Sequence, residues 1–184
     1  MTASFKNKTA LLIIDMINDF QFKHGPILVK KTQDIVLPIL HLKDEMNQRG
    51  LPVIYINDHY QVRQADYQKI SDHCLNQLSE PIISQLSPTN DDYFLIKPKH
   101  SAFYGTSLDD LLHQLKVESL IITGIAGNIC VLFTANDAYM REYDLLIPQD
   151  CIASVNPDDQ QFALKLMKNV LKADINPSKD IFKK

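Results

Sequence analysis

Along this chain, short uninterrupted apolar runs alternate with longer stretches in which apolar residues recur every three or four positions. The short runs cover residues 11–14, 53–56, 93–96, 120–122 and 145–147. Each is too short for a buried helix and too continuous for a strand with one wet face, so the pattern predicts strands covered on both sides, as in a parallel sheet. A weaker sixth strand is expected at residues 173–175. Between the runs, Ile35, Leu37, Ile39, Leu40, Leu42 and Met46 repeat at helical spacing, as do Leu108, Leu111, Leu112 and Leu115, and then Phe162, Leu164, Leu166, Met167, Val170 and Leu171. Pro38 lies within the first set and predicts a helix that starts late or kinks, because proline lacks an N–H and crowds the preceding turn. The segment from 60 to 86 is polar and poorly periodic and reads as a long surface excursion. Strand and helix in alternation predict an α/β fold, a three-layer α/β/α sandwich around a mainly parallel sheet of five or six strands, in one domain spanning 1–184.

In such a sheet, ligands bind beyond the carboxyl ends of the strands, so chemistry is sought just after each apolar run. Asp15 follows the first run, Lys97 the third, and Cys130 lies where the fourth run turns through Gly124-Ile125-Ala126-Gly127-Asn128-Ile129 into a helix-like segment. A thiol at a helix N-terminus meets unpaired N–H groups and the positive end of the dipole, which favour a thiolate and can also hold an oxyanion. If the three strands are parallel and central, the three side chains meet at one end of the sheet. The carboxylate then takes the thiol proton, the ammonium stabilises the thiolate, and the protonated acid returns its proton to a leaving amine. Taken singly, each has an ordinary reading: a small buried cysteine, a loop-capping Asp, a solvated lysine before Pro98. Their shared placement argues for the site.

The wording around these residues resembles the isochorismatase-like superfamily of cysteine hydrolases, which includes nicotinamidases and N-carbamoylsarcosine amidases. Three stretches carry the resemblance: Leu11-Leu12-Ile13-Ile14-Asp15-Met16-Ile17-Asn18-Asp19-Phe20, Lys97-Pro98-Lys99-His100-Ser101-Ala102-Phe103-Tyr104-Gly105-Thr106, and Thr123 through Ala138 around Gly127-Asn128-Ile129-Cys130. The resemblance implies a Rossmann-like sandwich and a catalytic triad of Asp15, Lys97 and Cys130. It further implies a non-proline cis peptide at Ile125-Ala126 and an oxyanion hole formed by the N–H groups of Ala126 and Cys130. The implied reaction is hydrolysis of a small amide or carbamoyl compound through a Cys130 thioester. Lys97 is preferred over Lys99 because it directly follows the apolar run and matches the family's lysine. A homo-oligomer, dimer or tetramer, is expected by resemblance alone. The alternative within the family is isochorismatase-type cleavage of a vinyl ether, which an intact cysteine triad disfavours.

Phe20, Phe103 and Tyr104 follow the first and third strands on the side of the triad and are expected to line the substrate pocket, with loop anchoring as their alternative. Phe133 is expected in the core, and His100 and Ser101 are candidates to hydrogen-bond substrate, Ser101 also as a cap. The chain departs from the nicotinamidases after the second strand. There it has Asn57-Asp58-His59, with acid and imidazole adjacent, and His73 further on. Adjacent residues on an extended strand face opposite ways, so Asp58 and His59 are poorly placed to share a metal unless the loop turns sharply. No metal and no cofactor are expected.

Composition narrows the remaining possibilities. A net charge of −3 with dispersed lysines disfavours a nucleic-acid surface, and no apolar run approaches a membrane span or opens a signal peptide. Three cysteines at unrelated spacings suit a reducing compartment and a cytoplasmic protein, and the resemblance implies a small-molecule substrate as its partner. Cys151 follows the fifth strand and could approach the site but is expected to be structural, and Cys74 is expected to be an incidental thiol. Two other functions stay open: a redox sensor resolving Cys130 with Cys151, and a binding module that has lost turnover.

Overall fold

The computed structural model describes residues 8–60 and 66–183. Its sheet has the strand order β3-β2-β1-β4-β5, built from β1 (Thr9–Ile14), β2 (Val53–Asp58), β3 (Tyr93–Lys97), β4 (Ser119–Ile125) and β5 (Asp144–Leu146). Every pairing between these strands is parallel. The chain steps outward from β1 to β3, then returns to the other side of β1 with β4. That reversal makes the carboxyl ends of β1 and β4 the natural crevice.

Alternation along the strands decides which layer each residue enters. Leu11, Ile13, Val53, Tyr55 and Ile121 pack against Val29, Val36, Ile39 and Met46 of α1 (Gly25–Gln48), and against Ile82 and Leu86 of α3 (Glu80–Leu86). Ala10, Leu12, Ile14, Ile54, Ile56, Leu120 and Ile122 face the other way. They meet Leu108 and Leu112 of α4 (Leu108–Gln114), Ala135 and Ala138 of α5 (Leu132–Tyr139), and Ala163, Leu164 and Met167 of α6 (Pro157–Asn169). Two dry cores on opposite faces of one sheet explain why the strands read as unbroken apolar runs.

The structure corrects four expectations. First, α1 does not start late: it begins at Gly25-Pro26, and Pro38 lies inside it. Proline is well suited to a helix's first turn, and Asp34, whose carbonyl loses its partner to Pro38, is exposed to water. Second, the sixth strand is β6 (Ile152–Ala153), not residues 173–175. β5 stops opposite Ile121, leaving the end of β4 unpaired, and Ile152 and Ala153 pair there with Gly124 and Ile125. Residues 173–175 contribute only an isolated bridge, Asp174 to Leu146. Third, residues 66–86 are not an irregular excursion. They hold α2 (Tyr67–Cys74), capped by the Asp66 carboxylate on the Gln68 N–H, and α3, and with Ile17 they build a small third core of Ile70, Cys74 and Ile83. The part of that segment at 61–65 lies outside the described residues. Fourth, Phe133 is half exposed, at 52%, because α5 turns that side away from the sheet. Among the described residues no helix is long and apolar enough to cross a membrane.

Candidate active site

Asp15 is the first residue past β1. Its N–H still donates to the Ile56 carbonyl at 2.9 Å, while its φ of 52° turns the chain out of the sheet. The buried side chain of Asn57 fixes that exit, accepting from the Ile17 N–H at 3.2 Å and donating to the Ile17 carbonyl at 2.8 Å. The Asp15 carboxylate thereby faces the carboxyl edge of the sheet. One oxygen accepts the Asp58 N–H at 3.1 Å and the other accepts from Lys97 Nζ at 2.9 Å.

Lys97 closes β3, two strands away, and its long stem lets the ammonium reach Asp15. It is buried, whereas Lys99 is exposed. Nζ also lies 3.5 Å from Cys130 Sγ. One ammonium therefore touches both the acid and the thiol.

Cys130 reaches this point through a tightly specified turn. Gly124, at φ 108°, passes so close to β1 that a Cβ there would lie 2.1 Å from the Ile14 carbonyl oxygen. The Ile125–Ala126 peptide is cis. A π-helical turn, Gly127–Val131, then leads into α5. The Ala126 carbonyl accepts from the N–H groups of Ile129 and Val131, at 3.0 and 3.2 Å, and these two bonds straddle Cys130. A single turn of this kind is common at functional sites because it re-aims one side chain without ending the helix.

The electrostatics revise the expected thiolate. Burial, followed by the nearby negative charge of Asp15, pushes the Cys130 thiol up to about 12, and Lys97 only partly opposes this. Burial also raises Asp15, against the pull of Lys97. For Lys97 burial acts downward, but Asp15 and Cys130 outweigh it and the net direction is up. Lys97 thus lies between a carboxyl and a thiol that both hold their protons more tightly than usual. The carboxylate is the base that can take the thiol proton, and its raised affinity brings it closer to the pKa a proton shuttle needs.

The segment after Lys97 forms a wall fastened to α5. Ser101 Oγ donates to the Asp137 carboxylate, the Ala102 N–H donates to Thr134 Oγ1 at 3.0 Å, and Thr106 Oγ1 donates to the Ala102 carbonyl at 2.6 Å. Ser101 is therefore spent on this anchor and not offered to substrate. His100 stays exposed, with Nδ1 3.9 Å from Cys130 Sγ and its ring against Phe133, centroids 5.8 Å apart. Of the three expected pocket aromatics, Phe20 is buried in the α1 core and Phe103 in the opposite core, stacked on Tyr143 under Arg141. Both are drawn into the apolar layers by the faces their loops present, which corrects the expectation that they line the pocket. Tyr104 is exposed.

Asp58 and His59 do not face opposite ways. The chain turns sharply at Tyr60, φ 44°, and Asp58 Oδ1 accepts the His59 N–H at 2.6 Å and lies 3.8 Å from His59 Nε2. His73 sits on α2 against the Tyr60 ring. Among the described residues, no three of His, Cys, Asp or Glu converge to hold a metal. Cys74 and Cys151 are buried free thiols, Cys151 in the α1-side core and Cys130 against the opposite one. Sequence reasoning missed Asn57, Thr134, Asp137, Ser154 and Gln160, whose partners are 32 or more residues away in three of the five cases and carry no local spacing signal.

The parallel α/β sheet thus brings an acid, a lysine and a cysteine together at its switch point. Comparison with known proteins gives the class its name. The isochorismatase domain matches residues 9–175, and the chain belongs to the isochorismatase family. It is 57% identical over 179 residues to the isochorismatase family protein YaaI of Bacillus subtilis strain 168, covering 97% of this chain and 99% of YaaI. The structure of an N-carbamoylsarcosine amidase from Thermoplasma acidophilum is similar with a TM-score of 0.74 at 29% identity, over 95% of this chain and 99% of that one. A nicotinamidase from Staphylococcus aureus matches with a TM-score of 0.73 at 26% identity, over 92% and 98% respectively.

Proposed function

We propose that this protein hydrolyses a C–N bond in a small amide or carbamoyl compound through a thioester on Cys130. The observation that carries this reading is the continuous contact from Asp15 to Lys97, 2.9 Å, and from Lys97 to Cys130, 3.5 Å, at the switch point of the sheet. As the Sγ–carbon bond forms, the thiol proton passes to Asp15, so no free thiolate need accumulate against its raised pKa. The developing oxyanion is received by the N–H groups of Ala126 and Cys130, donors of a kind typically worth about 3–4 kcal/mol each. Asp15 then gives its proton to the departing nitrogen, and water releases the acyl group with Asp15 again as base. Lys97 opposes the burial that raises Asp15 and so favours the ionised carboxylate between these transfers.

Two alternatives are weaker on specific grounds. A sensing or peroxidatic cysteine works as a thiolate, and burial and Asp15 push Cys130 the other way. Cys151, its nominal resolving partner, packs in the core on the opposite face of the sheet. The thiol in contact with Lys97 supports the C–N reading over vinyl ether cleavage, which does not need a cysteine nucleophile in the same way. The test is intact mass spectrometry of wild-type and Cys130→Ala protein with a panel of small amides, including nicotinamide and N-carbamoyl compounds, with ammonia followed in parallel. A Cys130-dependent acyl adduct or ammonia release is expected. Ligand binding with no turnover that survives Cys130→Ala would replace the hydrolase with a binding module.

A further inference from the structure

We propose that Ser154 and Gln160 are positioning residues for the oxyanion loop, an inference that rests on the reading of Cys130 as nucleophile. Ser154 is 2% exposed and its Oγ accepts the Asn128 N–H at 3.1 Å. The same hydroxyl donates to Gln160 Oε1, and Gln160 Nε2 donates to the Ile152 carbonyl at 2.8 Å. Ile152 and Ala153 in turn pair with Gly124 and Ile125 at the end of β4. The bonds therefore close a ring: out along β4, through the cis peptide to Asn128, across to Ser154, and back through Gln160 and β6 to β4.

Asn128 is midway between Ala126 and Cys130, whose N–H groups are assigned to the oxyanion. Fixing its peptide fixes the planes on either side. The ring has no slack, since a Cβ on Gly127 would lie 2.7 Å from Gln160 Oε1 and 3.0 Å from Ser154 Oγ. Helix α6 does not need the pair for its own start, because the Asn156 side chain accepts the Asp158 N–H at 2.8 Å. Lys31 adds a bond to the Val155 carbonyl at 2.8 Å, tying the clamp to α1. The pair serves the loop.

The test separates two reactions of one thiol. Acylation by p-nitrophenyl acetate forms the Sγ–carbon bond, places charge on the carbonyl oxygen, passes the thiol proton to Asp15, and breaks the ester C–O bond to release p-nitrophenolate. Alkylation by iodoacetamide displaces iodide and forms no oxyanion. In Ser154→Ala and Gln160→Leu, acylation of Cys130 should fall about 10–100-fold, the scale of a misaligned oxyanion donor, while alkylation stays within about twofold of wild type. The double variant should be no worse than Ser154→Ala, since both break one chain of bonds. Gln160 is only partly buried, so Gln160→Leu keeps the test available if Ser154→Ala does not fold. Unchanged acylation, or acylation and alkylation falling together, overturns the positioning role alone. A wild-type protein that is alkylated on Cys130 but takes up no acetyl group overturns the nucleophile reading and this one with it.

Discussion

The turns after β4 and after β2 stand at the same edge of the sheet and differ in how far their side chains are exposed. The turn after β4 is held by a long-range bond, Asn128 to Ser154, by the close approach of Gly124 to Ile14, and by the Ala126 carbonyl shared locally by Ile129 and Val131. The turn after β2 begins with Asp58 and His59; the Asp58 N–H bonds to Asp15 at 3.1 Å, but both side chains are about half exposed and their mutual contacts are local. Long-range bonds hold a backbone to one geometry, which covalent chemistry needs. A local, wet turn tolerates substitution, which is what selection among substrates needs. The contrast is one of exposure: the β4 turn is pinned beside Cys130, while the Asp58 and His59 side chains are left largely to water.

The strongest way to break this contrast is to remove the thiol. Cys130→Ala should abolish acyl adducts and lower turnover by at least about 10⁴-fold, measured by ammonia release. Asp15→Asn comes next. It should cost about 10²–10⁴-fold in turnover, the scale of a lost general acid–base, yet speed iodoacetamide alkylation, because Asp15 is among the causes that raise the thiol. Slower alkylation in that variant would refute the electrostatic account. Gly124→Ala tests rigidity: with 2.1 Å between its Cβ and the Ile14 oxygen, β1 and β4 must part, and an unfolding midpoint well below wild type, or no soluble protein, is expected.

The pH dependence sharpens the same picture. With the thiol pushed up to about 12 from an ordinary 9.0, alkylation of Cys130 should keep rising through pH 9 with no plateau near 7. The linked stability has a definite sign. The folded state holds this proton more tightly than the unfolded one, so the contribution is intact below about pH 9 and is lost as pH climbs toward 12, which denaturant titrations across that window would reveal. The smallest effect is expected at the other turn: His59→Ala should leave alkylation and acylation by p-nitrophenyl acetate within about twofold and shift KM for the natural substrate more than kcat.

The parts of the molecule that were legible in the sequence share a physical character. The strands showed because burial on both faces forces continuous apolar runs, and Asp15, Lys97 and Cys130 showed because each stands next to such a run. β6 did not show, since two residues are too few for any period, and its place depends on β5 ending short. The start of α1 was obscured by weighting Pro38, whose cost is small where the orphaned carbonyl meets water. Phe20 and Phe103 were assigned by position along the chain, but which layer a loop aromatic enters depends on the face the loop presents.

The sequence by itself determined the sheet, its helical cover and the acid, lysine and thiol at its edge, because hydrophobic period and strand ends are local properties of a chain. Only the tertiary structure decided that burial and Asp15 push the thiol up, and that Ser154 and Gln160 bond to the turn beside Cys130. Burial, charge proximity and hydrogen bonds between distant segments exist only once the layers have closed, and those are the terms that set a pKa or the aim of a backbone N–H.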